Sequence, residues 1–428
     1  MSTAVDTRPA AHDRVVVAPV KWRNPVVYAL LTLVTLVAFA LRTPGGESTT
    51  FRLAAGGEAV ELPNVAVPSA LVIWACTALL AALTAYAAWA ALGRRRVGWW
   101  LPALVGIAFV AAFLTSVGAG RETTNIPVTT LLAGALALSV PLVFGALSGV
   151  MCERAGVVNI AIEGQLLAGA FLAAIVASIT GSPYLGLLVA PLAGALVGVL
   201  LVFFSVKYWV DQIIVGVVLN VLVVGLTSFL FSTVLTENQG WNTRQNLPDL
   251  PIPLLSDIPV LGPVLFDQNI LVYLMYAAVV LLHVFLFRSR WGLRVRAVGE
   301  HPRAADTVGI NVIRTRWVTP ILGSALAGLG GAFFTVGSGL AFGKDMSAGN
   351  GYIALAAMIL GKWNPLGALA AALLFGFSRN LANVLSAIGA GIPSEFLLML
   401  PYVVTIFAVA GFVGRVRAPA AENQPYIK

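Results

Sequence analysis

Charge is what this chain has least of. Only 10% of its 428 residues are Asp, Glu, Lys or Arg, against about 25% in a typical soluble domain. Its 18 acidic side chains are too few to cover the surface of a soluble protein of this length, which excludes that class. Cysteine is nearly absent too. Cys76 lies inside an apolar run and Cys152 stands alone, so there is neither a disulfide framework nor a metal-ligand spacing. The three histidines, His12, His283 and His301, are scattered and form no HExxH or related cluster. A phosphate-binding loop is missing as well. The Gly-Lys pairs Gly343-Lys344 and Gly361-Lys362 are followed by Asp345 and Trp363, where Ser or Thr is required. The chain therefore cannot bind ATP in that way, and any ATP that drives it must be bound by another subunit. No constellation of nucleophile, base and orienting group is visible, which argues against a membrane enzyme.

What the chain does have is apolar sequence, 59% of the total. A transmembrane helix needs about 20 mainly apolar residues. Runs that meet or approach this length lie at 24–41, 67–92, 99–117, 127–150, 162–180, 184–206, 211–234, 269–287, 317–339, 366–386 and 394–412. A shorter stretch, 351–361, is either a half-helix or a short tilted one. The first 23 residues are polar and carry Arg8, Arg14, Lys21 and Arg23. No small-residue cleavage site with a soluble domain behind it follows the first apolar run, so that run reads as a membrane helix and not a signal peptide.

The net charge of +8 comes from short basic clusters between apolar runs, the positive-inside pattern, and not from the basic face of a nucleic-acid-binding domain. The clusters are the N-terminal tail, Arg94 to Arg96, Lys207, the seven arginines between Arg288 and Arg316, and Arg415 with Arg417. With a cytoplasmic N-terminus all of them fall inside, provided that 351–361 crosses. The opposite loops 42–66 and 235–268 are rich in acids such as Glu47, Glu58, Glu61, Glu237, Asp249, Asp257 and Asp267. The fold class is thus all-α: a polytopic transmembrane helical bundle of about 12 spans, or 11 without 351–361, with cytoplasmic N- and C-termini. Its expected parts are a tail 1–23, an extra N-terminal region 24–126, a core 127–412 containing the loop 288–317, and a tail 413–428. Gly145 with Gly149, and Gly194 with Gly198, form small-residue faces for close helix packing. The glycines 323, 328, 330 and 331 read either as packing or as flexibility. Pro141, Pro191 and Pro320 are expected to kink their helices.

Three segments carry polar chemistry. Residues 151–165 place Glu153, Arg154, Asn159, Glu163 and Gln165 between long apolar spans, where ionisable groups are costly and face cavities or one another. Asn159 and Glu163, four apart, would share one face of a helix. A broken helix would instead expose backbone groups that only protein or a cavity can satisfy. An ordinary polar turn is the plainer alternative. In 288–317, Pro302 can open a short helix and Gly309 can close it, which suits docking to a partner better than a loop needed only for orientation. Residues 350–365 bound the short apolar stretch with Gly351 and Gly361 and follow it with Lys362, Trp363 and Asn364. That pattern points either to a transport pathway or to packing.

These segments resemble the signatures of one family. Glu153-Arg-Ala-Gly-Val-Val-Asn-Ile-Ala-Ile-Glu-Gly is similar to the E-R-x-G-V-V-N-I-x-x-E-G signature of ABC-importer permeases for nucleosides and simple sugars, within the branched-chain amino acid and ribose permease superfamily. Ala297-Val-Gly-Glu-His-Pro-Arg-Ala-Ala-Asp-Thr-Val-Gly-Ile resembles the family's cytoplasmic loop, although His301 stands where Asn is usual. Gly351 to Pro365 resembles its third signature, and the guanosine-type nucleoside branch is the nearest in appearance. The resemblance spans 127–412 and leaves residues 1–126 outside.

It implies a permease of the bacterial plasma (inner) membrane, paired with a second permease subunit. Two ATP-binding cassette ATPases would dock on its loops, and an extracellular substrate-binding lipoprotein would deliver the nucleoside. No residue of this chain would be catalytic, no metal would be held, and ATP would be the only cofactor, bound by the partner ATPases. Gly299, Glu300, Pro302, Ala304, Ala305 and Gly309 would form the ATPase-coupling helix. Glu153, Arg154, Asn159, Glu163 and Gly164 are the candidate pathway residues. The alternatives are a permease for ribose or galactose, and an ion-coupled secondary transporter relying on Asp211 and Glu163.

Overall fold

The computed structural model describes residues 22–54, 62–95, 97–98, 100–121, 125–389, 396, 399 and 417–427. In order, the helices are α1 (Arg23–Val34), α2 (Ser69–Leu92), α3 (Trp100–Gly118), α4 (Val128–Arg154), α5 (Ile162–Thr180), α6 (Pro183–Val202), α7 (Gln212–Leu230), α8 (Leu261–Leu265), α9 (Ile270–Arg288), α10 (Arg290–Glu300), α11 (Pro302–Thr307), α12 (Val312–Gly331), α13 (Asn350–Leu360) and α14 (Pro365–Ala387). Turns of π-helix extend α1 to Ala40, α6 to Lys207 and α7 to Leu235. Among the described residues, 10 helices are long and apolar enough to cross a membrane. The fold is an all-α polytopic bundle. The expected span 394–412 lies outside the described residues, apart from 396 and 399.

The chain divides into two compact units: residues 1–49 with 67–123, and residues 50–66 with 124–428. In the first, Tyr28 of α1, Leu80 and Ala87 of α2, and Leu101, Val105 and Ala108 of α3 form one apolar core. The second unit is built around α4, in which every residue from Ser139 to Glu153 is buried. A helix enclosed on all sides cannot show an amphipathic stripe, and the buried stretch is accordingly apolar apart from Ser139, Ser148 and Glu153. Helices α12, α13, α14 and α5 pack against it.

Backbone contact is very close where glycines meet. A Cβ on Gly194 of α6 would lie 2.3 Å from the Ser324 carbonyl of α12, and one on Gly328 would lie 2.5 Å from the Ala190 carbonyl of α6. Close packing is therefore the role of Gly194 and of Gly328, as small residues at helix interfaces in lipid allow. Helices α4, α6 and α12 continue through Pro141, Pro191 and Pro320.

Side-chain caps start the core helices. Asp211 Oδ1 accepts from Ile213 N (2.9 Å) and Ile214 N (3.1 Å) at α7. Asn269, Ser289, Asn311 and Asn364 do the same for α9, α10, α12 and α14. Each satisfies backbone donors that the first turn leaves free. Two short ladders tie loops together. Residues 50–52 run parallel to Asn125–Pro127, and Leu250 pairs antiparallel with Gln268.

The stretch 351–361 resolves as α13, which at 11 residues and 1.5 Å per residue is about 16 Å long, roughly half a bilayer core. It runs from the side of Glu163 to the end of α4, where Trp363 meets Glu153. The non-helical segment 335–349 supplies the remainder of the passage. Thr335 bonds to the Ala170 carbonyl and Phe342 N to Asn242 at the opposite end. Loop and half-helix together thus make one crossing of the unit.

Candidate functional site

Helix α4 stops at Arg154, and the chain turns on Gly156 at φ +82°. It then runs back into the bundle without helical bonds until α5 begins at Ile162. The expected helical face shared by Asn159 and Glu163 is therefore corrected: Asn159 precedes the helix and the two side chains diverge. The broken-segment alternative is the observed one, and its backbone is satisfied by protein. Val158 N donates to Gln212 Oε1 (2.6 Å). The Ile160 carbonyl accepts from Asn220 Nδ2 (2.9 Å).

Asn159, fully buried, exchanges two amide bonds with Gln165. Its Nδ2 donates to Gln165 Oε1 and Gln165 Nε2 donates to Asn159 Oδ1, both at 3.0 Å. Asn159 Nδ2 also reaches Ser148 Oγ of α4 (3.1 Å), and Gln165 Nε2 reaches Ser324 Oγ of α12 (2.9 Å). Four pieces of chain are thereby joined through side chains alone. In a low-dielectric interior such a network is valuable only when every member is satisfied.

Glu163, 4% exposed, points the other way. Its two carboxylate oxygens accept from Gly349 N (2.8 Å) and Gly351 N, at the start of α13. Helix N-termini attract negative charge because their first N–H groups lack partners. Here a neighbouring helix supplies the carboxylate. Gly351 has no room for a side chain, since a Cβ would fall 2.4 Å from Glu163 N. Gly164 N donates to Asn220 Oδ1 of α7 (2.8 Å), and Asn220 Nδ2 reaches the half-exposed Tyr352 hydroxyl (3.2 Å). Arg379 of α14 donates to Asn350 Oδ1 (2.6 Å).

At the end of α4, Glu153 and Arg154 bond to different partners. Glu153 accepts from the Trp363 indole N–H. Arg154 Nε donates to the Trp363 carbonyl (3.1 Å) and Nη2 to that of Lys362 (3.4 Å). Lys362 and Trp363 hold positive φ values, 58° and 52°, a conformation that non-glycine residues adopt only when their surroundings enforce it.

The loop after α9 forms two helices. Pro302 occupies the first turn of α11, and Gly309, at φ +83°, closes it with N–H to the Asp306 carbonyl (3.0 Å). Glu300, Ala304 and Gly309 are exposed, with Val308 beside them at 75%. Gly299 and Ala305 are not available to a partner. A Cβ on Gly299 would meet the Arg154 carbonyl at 2.2 Å, and Ala305 is buried with Val298 and Val312. A cleft of about 620 Å³ opens beside them, lined by Gly309, Ile310, Trp317 and Tyr426 among others.

Sequence reasoning missed Asn220, Ser324, Tyr352, Arg379 and Arg316. Asn220 and Arg379 were findable as polar residues inside apolar runs, a feature that marks functional depth in a membrane. Asp211, named for ion coupling, is exposed and caps α7. Its hydrogen bonds from Ile214 N and Asn423 hold its carboxyl below the usual range. Among the described residues, no three His, Cys, Asp or Glu side chains gather where a metal could bind.

Long apolar helices enclosing a hydrogen-bonded polar layer and a half-helix define a multi-pass membrane protein. The comparisons specify it further. The family model described as "Branched-chain amino acid transport system / permease component" matches residues 131–409, and the chain belongs to that family. It is similar to the guanosine ABC transporter permease protein NupQ of Bacillus subtilis, 39% identical over 70% of this chain and 96% of the relative. It is also similar to the nucleoside ABC transporter permease protein NupC of Lactococcus lactis, 41% identical over the same shares. The putative glucose ABC transporter permease protein TsgC13 of Haloferax volcanii is 32% identical over 58% of this chain and 74% of its own length. No solved structure matches. The chain is thus a transport subunit and not an enzyme.

Proposed function

We propose that this chain is the transmembrane permease subunit of an ABC importer that takes up nucleosides, driven by ATP hydrolysis in separate subunits. The observation that carries the reading is the reach of the nucleoside-permease similarity, which covers 96% of NupQ and of NupC, beside a family match over residues 131–409 that includes all three polar segments. In this reading the end of the core bearing Arg154, Lys207 and α10–α11 is cytoplasmic, as its arginines favour, and the membrane is the bacterial plasma membrane. The exposed Glu300, Ala304, Val308 and Gly309 meet a partner ATPase. A second permease lies across a shared path, and an extracellular lipoprotein delivers substrate. The chain has no cofactor of its own, because it has no phosphate loop and ATP sits in the partner.

An ion-coupled carrier is disfavoured. Asp211 is at the surface, and both oxygens of Glu163 accept hydrogen bonds from the α13 N-terminus, which gives each acid a structural role. Permease action for a simple sugar is the second reading, favoured by the similarity to TsgC13. Uptake measured after dissipating the ion gradients with ATP maintained, and again with ATP depleted and gradients intact, tests the proposal. Loss only on ATP depletion is expected, and loss only on gradient collapse would overturn it.

A further inference from the structure

The described C-terminal residues, 417–427, lie on the core and touch α7, α10, α11 and α12 at its basic end. Ala421 N donates to the Gly299 carbonyl (2.9 Å) and Ala420 N to Glu300 Oε2 (3.3 Å), both on α10. Tyr426 packs on Val298, Ala305 and Val312 and hydrogen-bonds Asp306 of α11. Asn423 bridges to the start of α7. Its Nδ2 donates to Asp211 Oδ2 (3.2 Å), and its Oδ1 accepts from Gln212 N (3.3 Å). Gln212 in turn holds Val158 N, the residue next to Asn159.

Arg316 of α12 shows that this contact is built in. The residue is 2% exposed. Its Nη1 donates to the Gln424 carbonyl (2.6 Å) and its Nη2 to the Ala421 carbonyl (3.2 Å). A buried guanidinium stripped of its acceptors is among the costliest arrangements in a protein. Both terminal nitrogens of this one are satisfied by the C-terminal segment. Glu422 meets the buried Glu153 carboxyl at the end of α4, beside the indole of Trp363.

We propose that residues 417–427 form a tether that makes the α10–α11 platform and the re-entrant turn 155–161 move as one body, with Arg316, Asn423 and Tyr426 as its positioning residues. The proposal rests on the reading of α10–α11 as the ATPase-docking element. One path then runs from that platform through Tyr426, Asn423, Gln212 and Val158 to the Asn159–Gln165 network at membrane depth. A push on the platform reaches Val158 along this path only while the segment is seated, which adds to the direct contact of Gly299 with Arg154.

The test uses the full-length chain in its own cells, with the variants Asn423→Ala, Tyr426→Ala and a stop after Arg417. Initial rates of labelled guanosine uptake are divided by the amount of permease in the membrane. The tether predicts a maximal rate per molecule lowered about tenfold in the truncated chain and less in the point variants, with an unchanged half-saturating concentration. A folding defect would lower the amount of permease and leave the rate per molecule intact. That outcome, or an unchanged rate in all three variants, would overturn the tether. If unaltered cells showed no guanosine uptake dependent on this chain, the nucleoside reading would fail instead. Trypsin would then decide the tether without any substrate. In inside-out vesicles, Arg316→Gln should release the peptide 418–428 several times faster than the unaltered chain, and equal release would refute it.

Discussion

Helices α2 and α5 read alike in sequence, both long, apolar and free of internal basic residues, yet they bury their polar groups in opposite ways. Only 22% of the apolar window of α2 is buried, against 61% in α5. The buried hydroxyls on the N-terminal unit's helices mostly fold back on their own turns. Thr77 donates to the Ile73 carbonyl, Thr35 to that of Leu31 and Thr115 to that of Ala111. Such bonds ask nothing of a neighbour. In the core, Asn159, Glu163, Gln165 and Asn220 are amides and carboxylates, and each reaches another element. Hydropathy decides that both units enter a membrane. Only the reach of the polar groups separates a passive helix from one whose movement its neighbours must follow.

That contrast is sharpest at Glu163. Replacing it with Ala leaves Gly351 N buried and unpaired, at about 1–3 kcal/mol, and the half-buried Gly349 N without its partner. Guanosine uptake should be abolished, and the melting temperature in detergent should fall by several degrees. Next is the surface of α11's platform. Val308→Arg, at the exposed end of α11, should remove uptake while leaving membrane insertion and melting unchanged, as followed by membrane blot and thermal scan. Ala305 cannot serve for this purpose, because it is buried and a bulky replacement would disturb packing first.

Asn159→Ala should cost about 1–2 kcal/mol, since side-chain bonds between membrane helices average ~0.6 kcal/mol and reach ~1.7, and Asn159 makes several. Its uptake should be reduced but measurable. Glu422→Gln tests pH. Burial pushes the Glu422 carboxyl above the usual carboxylate range, so the docked segment binds a proton more tightly than the free one. Seating is therefore strongest below the ordinary carboxylate value and weakens as pH rises through the raised one. Trypsin release of 418–428, divided by the rate of cleavage of a free peptide at the same pH, should accelerate with pH in the unaltered chain and less so in the variant, in which the neighbouring Glu153 carboxyl remains. Smallest of all is Thr77→Val in α2, expected within about 0.5 kcal/mol of the parent. A large loss of uptake there would break the comparison between the units.

Much of this was legible beforehand. Apolar run lengths located the described spans, and Pro302 with Gly309 fixed α11 because each meets a backbone need that few other residues can. The half-helix α13 was visible from Gly351, Gly361 and Pro365. The direction of Asn159 and Glu163 was not, because four-residue spacing implies a shared face only if the chain is helical, and the Gly156 turn ends the helix. Arg316 looked like one more arginine of an inward-facing loop. Its burial depends on carbonyls over 100 residues away, which no local pattern can announce. The tail 413–428 reads from sequence only as a cytoplasmic tail for the same reason.

The account stands most directly on whole-cell uptake of labelled guanosine in cells with and without this gene, with unlabelled nucleosides and ribose as competitors. It predicts that uptake is lost without the gene and, in its presence, is suppressed by nucleosides and not by ribose. Unchanged guanosine uptake together with lost sugar uptake would contradict it.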